Sequence, residues 1–266
     1  ICGDQMNYSL VIDDSTNLDQ FLIDNAGRCG CKPRSEYTGP VCASSPSEDE
    51  YLIPWAEMPD RISDMVRAKN SIKDIWFDSP IGKLNQRNTN YCWAFASVTA
   101  LMLERAVEGK PFVHLSPSSI AGPITGYRNV GGYVEEALDW MIKHGVASED
   151  YVPQTTLSRS DYKAGWQTNA ELHKVAAWED VGKNKQRQIT KLLLRKPLSC
   201  AFMFMSHAMC VVNVTDDNPS LPANNPNRYG FEPLNSWGDG IIKLEGSRAI
   251  ADNCYAVTQS SFAGVA

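Results

Sequence analysis

The sequence lacks a long hydrophobic run, a block of like charges and an internal repeat. Its longest apolar stretch, residues 197–214, is interrupted by Ser199, Ser206, His207 and Asn213, which predicts buried strand and not a membrane span. The 266 residues carry a formal net charge of -6 without a run of five or six like charges. Because surfaces that bind DNA or RNA are usually basic, this balance argues against a nucleic-acid partner.

Histidine is also scarce, and the cysteines are unevenly spread. There are four histidines and eight cysteines, and half of the cysteines fall in the first 42 residues. Cys200 and Cys210 lie on neighbouring predicted strands, where buried thiols are a better interpretation than metal ligands. The sequence therefore predicts neither a metal site nor a cofactor.

The first 50 residues form a distinct, cysteine-bearing segment. They end in a polar run, residues 43–50, whose composition is typical of a linker, so the main domain is predicted to span residues 51–266. The stretch from Cys29 through Cys31 to Cys42 resembles the C-terminal half of an EGF-like module. That resemblance implies the disulfides Cys31–Cys42 and Cys2–Cys29. A zinc site is the alternative, although Cys-x-Cys without a second pair matches zinc spacing poorly.

Disulfides in this segment would place the protein in an oxidising compartment, either extracellular or secretory and lysosome-like. The start at Ile1, without a signal peptide, is a weaker indication of a processed or excised chain. Two roles stay open for residues 1–50: an independent docking module for a protein partner, or the remnant of a propeptide that blocks the cleft.

The rest of the sequence predicts a mixed domain. Its patterns predict helices over 91–107, 134–143 and 186–195, followed by strands over 198–205, 208–214, 231–234 and 241–244. The first helix is apolar almost all round, as expected for a helix buried in the centre of a domain. Helices first and strands later predict an α+β chain with a cleft where the two halves meet.

Four residues of this domain could carry out nucleophilic catalysis together. Cys92 begins the buried helix, where the partial positive charge of the N-terminus favours a thiolate. His207, at the head of an apolar strand, could accept the thiol proton, and Asn235 could orient the imidazole. The Gln86 amide, six residues before the cysteine, could stabilise an oxyanion. The other histidines are predicted at the surface or in loops: His114, His144 and His173.

These residues occur in the order found in papain and the cathepsins. The chain contains Gln86-x5-Cys92-Trp93-Ala94-Phe95-Ala96, then Leu115-Ser116-Pro117, Gly131-Gly132-Tyr133, His207-Ala208 and Asn235-Ser236-Trp237-Gly238. Five motifs in the family's own order are far more specific than any one of them. Over residues 52–244 the sequence therefore resembles a divergent papain-like cysteine peptidase.

The resemblance implies a two-lobed α+β fold. A helical lobe would surround the Cys92 helix, and a β-barrel-like lobe would carry His207 and Asn235. Peptide bonds would be hydrolysed through a thioester, with Cys92 as nucleophile and His207 as general base and then general acid. Asn235 would orient the imidazole, and Gln86 would form part of the oxyanion hole.

The resemblance also implies a substrate-binding surface. Trp237 would shield the histidine–asparagine hydrogen bond from water. Gly131 and Gly132 would pair with an extended peptide or protein substrate as an added strand, next to Tyr133. Asn90 stands where the family has a glycine that lets substrate backbone approach closely, so its side chain is expected to intrude on the cleft.

Three functions fit these observations to different degrees. The first is a cysteine endopeptidase. The second is a papain-like structural or binding module in a larger extracellular assembly, a pseudoenzyme whose altered loop, residues 87–91, belongs to an inactive cleft. The third is a thiol acyltransferase of the transglutaminase type, which Asn235 argues against because that class usually has aspartate there.

Overall fold

The computed structural model describes residues 8–39, 41 and 52–260. The helices are α1 (Leu18–Asp24), α2 (Met58–Ala68), α3 (Ile72–Asp78), α4 (Cys92–Val107), α5 (Ser118–Thr125), α6 (Val134–Lys143), α7 (Trp166–Glu171) and α8 (Lys185–Leu193). The strands are β1 (Val11–Ile12), β2 (Val175–Asp180), β3 (Leu198–Phe202), β4 (His207–Asp216), β5 (Tyr229–Asn235), β6 (Gly240–Ile241), β7 (Lys243–Leu244) and β8 (Asn253–Ser260). Short 3-10 helices lie at Arg34–Glu36, Trp55–Glu57, Arg159–Asp161, Met203–Met205, Pro226–Arg228 and Gly246–Ala249.

The strands form one mixed sheet in the order β1-β7-β5-β4-β3-β8-β2, with β6 paired to β5. Strand β4 lies in its centre and is buried on both faces. Its alternate residues Ala208, Cys210 and Val212 belong to the core around α4, whereas Met209 and Val211 belong to the core on the opposite face. A strand enclosed on both faces needs apolar residues at every position, which explains the continuous apolar run in the sequence.

Helix α4 is the axis of the helical lobe. Its residues from Cys92 through Arg105 are all buried, and it packs against α3, α5, α6 and the sheet. The α+β prediction with two lobes and a central cysteine-bearing helix is thereby confirmed. Three of the described strands escaped prediction, β1, β2 and β8, and the strand predicted over 198–205 ends at Phe202, where the chain turns into a 3-10 helix.

The N-terminal segment is attached to this domain through the sheet. Strand β1 pairs in parallel with β7, and Ile12 is completely buried. Helix α1 follows, begun by Asn17, whose side chain accepts a hydrogen bond from the backbone N–H of Gln20. The predicted linker lies almost entirely outside the described residues, so the boundary near residue 51 stays a prediction.

The cysteines correct one expectation. Cys200 is not a free thiol but forms a disulfide with Cys254. The two residues face each other on the antiparallel strands β3 and β8, a register that the sequence pattern did not reveal because β8 was not predicted. Cys210 is the buried free thiol that was expected. Cys29 and Cys31 also carry free thiols with respect to the described residues.

The partners proposed for those two thiols, Cys2 and Cys42, lie outside the described residues, and both pairings stay predictions.

A second correction concerns His173, which was expected at the surface or in a loop. It is buried, and its Nδ1 lies 3.0 Å from the Val146 carbonyl oxygen. In the described part of the chain, no helix is both long and apolar enough to cross a membrane.

Candidate active site

Cys92 lies at the junction of the two lobes. It is the first residue of α4, and its side chain is completely buried. Its sulfur is within reach of the backbone N–H groups of Trp93, in its own helix, and of Ala208, in β4 next to His207. The central helix of one lobe and the central strand of the other therefore meet at this thiol.

The imidazole of His207 is held in one orientation by its neighbours. Its Nε2 lies 3.0 Å from Oδ1 of Asn235, and the Asn235 amide donates to Oδ2 of Asp239 at 3.1 Å. Because the amide nitrogen of Asn235 faces that carboxylate, its oxygen faces the imidazole and accepts a hydrogen bond from Nε2–H. The buried Nδ1 makes no hydrogen bond to a described residue and is left as the proton acceptor.

Trp237 covers this histidine. Its ring centroid lies 4.5 Å from that of His207, and the indole is 7% exposed. On its other side it contacts Phe21 of α1, at a centroid distance of 5.7 Å. An aromatic ring over a hydrogen bond excludes water from it, so this position agrees with the shielding role that the sequence motif implied.

Gln86 is oriented from the sheet lobe. Ser236 donates its hydroxyl to Oε1 of Gln86, and the Gln86 backbone N–H donates to the Ser236 carbonyl. The amide group of Gln86 is thereby turned to the cleft, where it donates to the carbonyl oxygen of Arg28 at 2.9 Å. A backbone carbonyl from the N-terminal segment thus occupies the place where an oxyanion donor is expected.

Residues 28–32 fill the cleft as an extended strand. The Gly132 N–H donates to the Gly30 carbonyl at 2.9 Å, and the Lys32 N–H donates to the Gly132 carbonyl at 3.0 Å, so Cys31 and Gly132 form a parallel bridge. On the other side, the Cys31 N–H donates to the Ser206 carbonyl at 2.9 Å. Gly132 thus makes with the protein's own chain the backbone pairing that was expected of Gly131 and Gly132 with a substrate.

Residues 28–32 also touch the Cys92 thiol and the wall beyond it. The N–H groups of Gly30 and Cys31 are within reach of the Cys92 sulfur. Further along, the Lys32 ammonium lies 5.2 Å from the centroid of the Tyr133 ring, which also packs against Tyr37 at 5.2 Å. Tyr133 therefore borders the cleft, as predicted, and its present contact is with the segment.

An ion pair with a buried carboxylate holds the chain just beyond residues 28–32, where it emerges from the cleft. Arg34 lies 3.1 Å from Oε1 of Glu135, whose side chain is 3% exposed and also accepts the hydroxyl of Tyr255. Burial raises the pKa of Glu135, and the hydrogen bond from Tyr255 and the charge of Arg34 oppose that shift. The positive charge of the segment thus compensates a carboxylate at the first turn of α6.

Burial shifts the pKa of both candidate catalytic groups, Cys92 and His207. Burial raises the pKa of the Cys92 thiol, against the opposing effect of the nearby backbone N–H groups. Burial also lowers the pKa of His207 to about 4, while the hydrogen bond to Asn235 and the nearby Arg28 carbonyl act in the opposite direction. The covered centre therefore holds a neutral thiol beside a neutral imidazole near pH 7.

Asn90 lies beside the segment, as its position in the sequence suggested. Its backbone N–H donates to Oδ1 of Asn129 at 2.7 Å, and the Asn129 amide donates to the Asn88 carbonyl at 2.8 Å. The left-handed backbone of this loop falls at Arg87, with a φ of 53°, and not at Asn90.

The structure thus brings together every residue that the sequence singled out in the main domain. Sequence reasoning missed the positioning roles of Asp239 and Ser236, the ion pair of Glu135, and the occupant of the cleft. Asp239 and Ser236 stand in or next to the Asn-Ser-Trp-Gly motif, which is the one signal that pointed to them. Nothing in the sequence marked residues 28–32 as the strand beside Gly132.

The family of the chain is shown by sequence comparison. The family described as "Papain family cysteine protease" matches residues 81–215, which is half of the chain. The chain belongs to the papain family of cysteine proteases. A curated relative, the low-temperature-induced cysteine proteinase of Solanum lycopersicum, is 26% identical over 124 residues, which are 46% of this chain. That match spans 35% of the relative's own length.

Solved structures of similar fold agree with this assignment. The recombinant stem bromelain precursor is 15% identical and superposes with a TM-score of 0.59, over 98% of this chain and 85% of its own. The digestive procathepsin L 3 of Tenebrio molitor larval midgut is 14% identical with a TM-score of 0.56, over 95% and 83%. Xylellain, a cysteine protease from Xylella fastidiosa, is 15% identical with a TM-score of 0.54, over 67% and 83%. At these identities the likeness concerns the fold.

Proposed function

We propose that this papain-family protein is a cysteine peptidase held in a latent form by its own residues 28–32. One observation carries the proposal: a segment of the chain lies on Cys92, accepts a hydrogen bond from Gln86 and pairs with Gly132. These are the positions where a peptide substrate would bind. A peptide is therefore the ligand class that the cleft accommodates.

In the uncovered enzyme, catalysis would follow from the arrangement of four side chains. The imidazole Nδ1 of His207 accepts the proton of Cys92, and the thiolate attacks the carbonyl carbon of a peptide substrate. The developing oxyanion receives the Gln86 amide. The imidazolium, held by Asn235, then gives its proton to the leaving amine, and water hydrolyses the thioester.

The direction of the segment supports latency and argues against self-cleavage. The leaving amine takes its proton from the imidazole, so the leaving side of a substrate lies towards His207 and Trp237. The chain that leads into residues 28–32 from the N-terminal side occupies that region, because Phe21 of α1 contacts Trp237. The C-terminal part of residues 28–32 runs along Gly132. The segment therefore lies in the opposite sense to a substrate and blocks the cleft without being aligned for hydrolysis.

Two further observations support this function. The matches to the bromelain precursor and to the procathepsin cover 98% and 95% of this chain, which is possible only if most of residues 1–50 are included. The Cys200–Cys254 disulfide is compatible with the extracellular or secretory compartment proposed from the sequence. Peptides or proteins would be the substrates.

The alternative is a non-catalytic papain-like module whose segment never leaves. The complete burial of Cys92 and His207 is the observation that favours it, because a permanently covered thiol cannot react with a substrate. The two functions differ in one measurable respect. A latent peptidase gains activity when residues 28–32 are displaced, and a binding module does not.

The test uses the full chain with Phe21→Ala, which removes the contact with Trp237 and leaves the catalytic groups in place. We expect slow adduct formation with a peptidyl epoxide in the wild type, faster adduct formation in Phe21→Ala, and turnover of a fluorogenic peptide. Cys92→Ala removes both signals, whereas Cys210→Ala, at another buried thiol in the core around α4, retains them. Gln86→Ala lowers the turnover number by about 10²- to 10³-fold.

Hydrogen exchange decides what a negative result means. If the amides of Cys31 and Lys32 exchange freely in Phe21→Ala and no peptide is hydrolysed, the peptidase proposal is wrong and the binding module takes its place. Adduct formation without turnover leads to the same conclusion, since it shows an accessible thiol and no acyl transfer.

A further inference from the structure

Gly30 passes through the narrowest part of the cleft. A Cβ atom built on it would lie 2.2 Å from the Asn90 carbonyl oxygen and 2.6 Å from the Asn90 Cβ. On the opposite side, a Cβ atom built on Gly131 would lie 2.2 Å from the Gly30 carbonyl oxygen. The φ angle of Gly30 is outside the left-handed region, so backbone strain is not the reason for glycine here. The reason is steric.

Both walls of this constriction are held in place. The Asn90 backbone and side chain bind Asn129, with distances of 2.7 Å to Oδ1 and 3.4 Å to the carbonyl oxygen. On the other wall, a Cβ atom on Gly132 would lie 2.4 Å from the Trp93 ring, and Trp93 is completely buried in α4. The atoms nearest to a Cβ on Gly30 are the carbonyl group and the Cβ of Asn90, which move only with the Asn90 backbone, and the wall at Gly132 is backed by a core ring. Neither wall can therefore yield cheaply to an added methyl group.

We propose that the constriction between Asn90 and Gly131 makes this cleft selective for glycine. The ligand class is an extended peptide with glycine at the position of Gly30, flanked by residues that carry side chains, as in Cys29-Gly30-Cys31. The chain's own segment meets this condition, and a peptide with a side chain at that position is excluded. The inference rests on the proposed function, because it takes the cleft to be a peptide-binding site.

The first test is Gly30→Ala in the full chain, measured by hydrogen exchange at three amides that depend on the bound segment: Cys31, Lys32 and Gly132. We expect their protection to fall about 10- to 100-fold, the usual effect of one methyl group in a closely packed site. Gly30→Val lowers it further. In the control, Lys32→Ala, the change is in the same strand but outside the constriction, so protection of the Cys31 and Gly132 amides falls at most about fivefold.

The second test adds peptides to the Gly30→Ala protein. Two peptides span residues 28–32 with serine in place of both cysteines, and they differ only in glycine or alanine at the central position. We expect the glycine peptide to restore protection of the Gly132 amide, and the alanine peptide to bind at least about tenfold more weakly.

Three results would overturn the proposal: unchanged protection in Gly30→Ala, equal binding of both peptides, or binding of neither. None of these readouts depends on hydrolysis. A protein that discriminates the two peptides and has no turnover contradicts the peptidase function and leaves the glycine selectivity standing. A protein that hydrolyses peptides and does not discriminate between these two contradicts the selectivity alone.

Discussion

Cys92 and residues 28–32, which cover it, are in contact but are anchored in different ways. Cys92 begins a 16-residue helix that is buried nearly throughout and packs against both lobes. Residues 28–32 are held by a few backbone hydrogen bonds to Gly132 and Ser206 and by the hydrogen bond from the Gln86 amide. Each such bond contributes only about 0.5–1.5 kcal/mol. We therefore expect residues 28–32 to leave the cleft while the helix that carries Cys92 stays folded.

The comparison also explains why the contacts on either side of the cleft matter. On one side Phe21 packs on Trp237, and on the other Arg34 pairs with the buried Glu135. These anchors hold the ends of the segment, so the strand between them is kept at high effective concentration near Cys92. Displacement of residues 28–32 therefore requires the loss of one of these two contacts or a change at Cys92 and His207.

The largest effect should come from truncating the core on which Cys92 depends. Leu101→Ala removes a completely buried side chain in the middle of α4, and we expect the free energy of unfolding to fall by about 2–5 kcal/mol. Urea denaturation of the full chain measures this loss. The control Leu194→Ala, whose side chain is 44% exposed, should lose no more than about 0.5 kcal/mol. Equal losses would contradict the distinction between a core-anchored centre and its surroundings.

Acidification should loosen the segment by up to about 3 kcal/mol. The covered His207 has a pKa of about 4, and an uncovered imidazole titrates near its ordinary value of 6.5. Between pH 6.5 and 4 the uncovered form binds a proton that the covered form does not, so lowering the pH favours release. Above pH 6.5 both forms are neutral and the effect disappears.

Hydrogen exchange at the Cys31 and Lys32 amides, followed from pH 7.5 to 4, measures this release. The amide of Val212 in the centre of β4 serves as the internal reference, because intrinsic exchange rates also change with pH. Protection of the segment that stays constant relative to Val212 would show that His207 does not control it.

The smallest of these effects is expected for the anchor at Trp237. Phe21→Ala removes a ring that is 9% exposed and contacts the indole, and we expect the opening free energy of residues 28–32 to fall by about 2 kcal/mol. The matched control is Ile23→Ala on the same helix, where the side chain is 68% exposed. If the two variants release the segment equally, packing on Trp237 does not anchor it.

Much of the catalytic centre could be predicted because each of its parts has a local signature. The cysteine at the start of an apolar helix, the histidine at the head of an apolar strand and the Asn-Ser-Trp-Gly run are all short patterns, and their order added specificity. The positions of α4 and α6 followed from hydrophobic periodicity and from the residues at their ends. Strands β2 and β8 could not be found in this way, because their sequences lack a clear alternation of buried and exposed residues.

What the sequence by itself determined is the α+β class, the family and the set of candidate catalytic side chains. These depend on residue types at short separations and on their order along the chain. Only the tertiary structure decided that Cys200 pairs with Cys254, that Asp239 and Ser236 orient Asn235 and Gln86, and that residues 28–32 fill the cleft. Those features depend on atoms brought together by sheet register and by the packing of the two lobes. The glycine at position 30 shows the difference most clearly, since its neighbours Asn90 and Gly131 are distant in sequence and the steric limit exists only where the folded walls face each other.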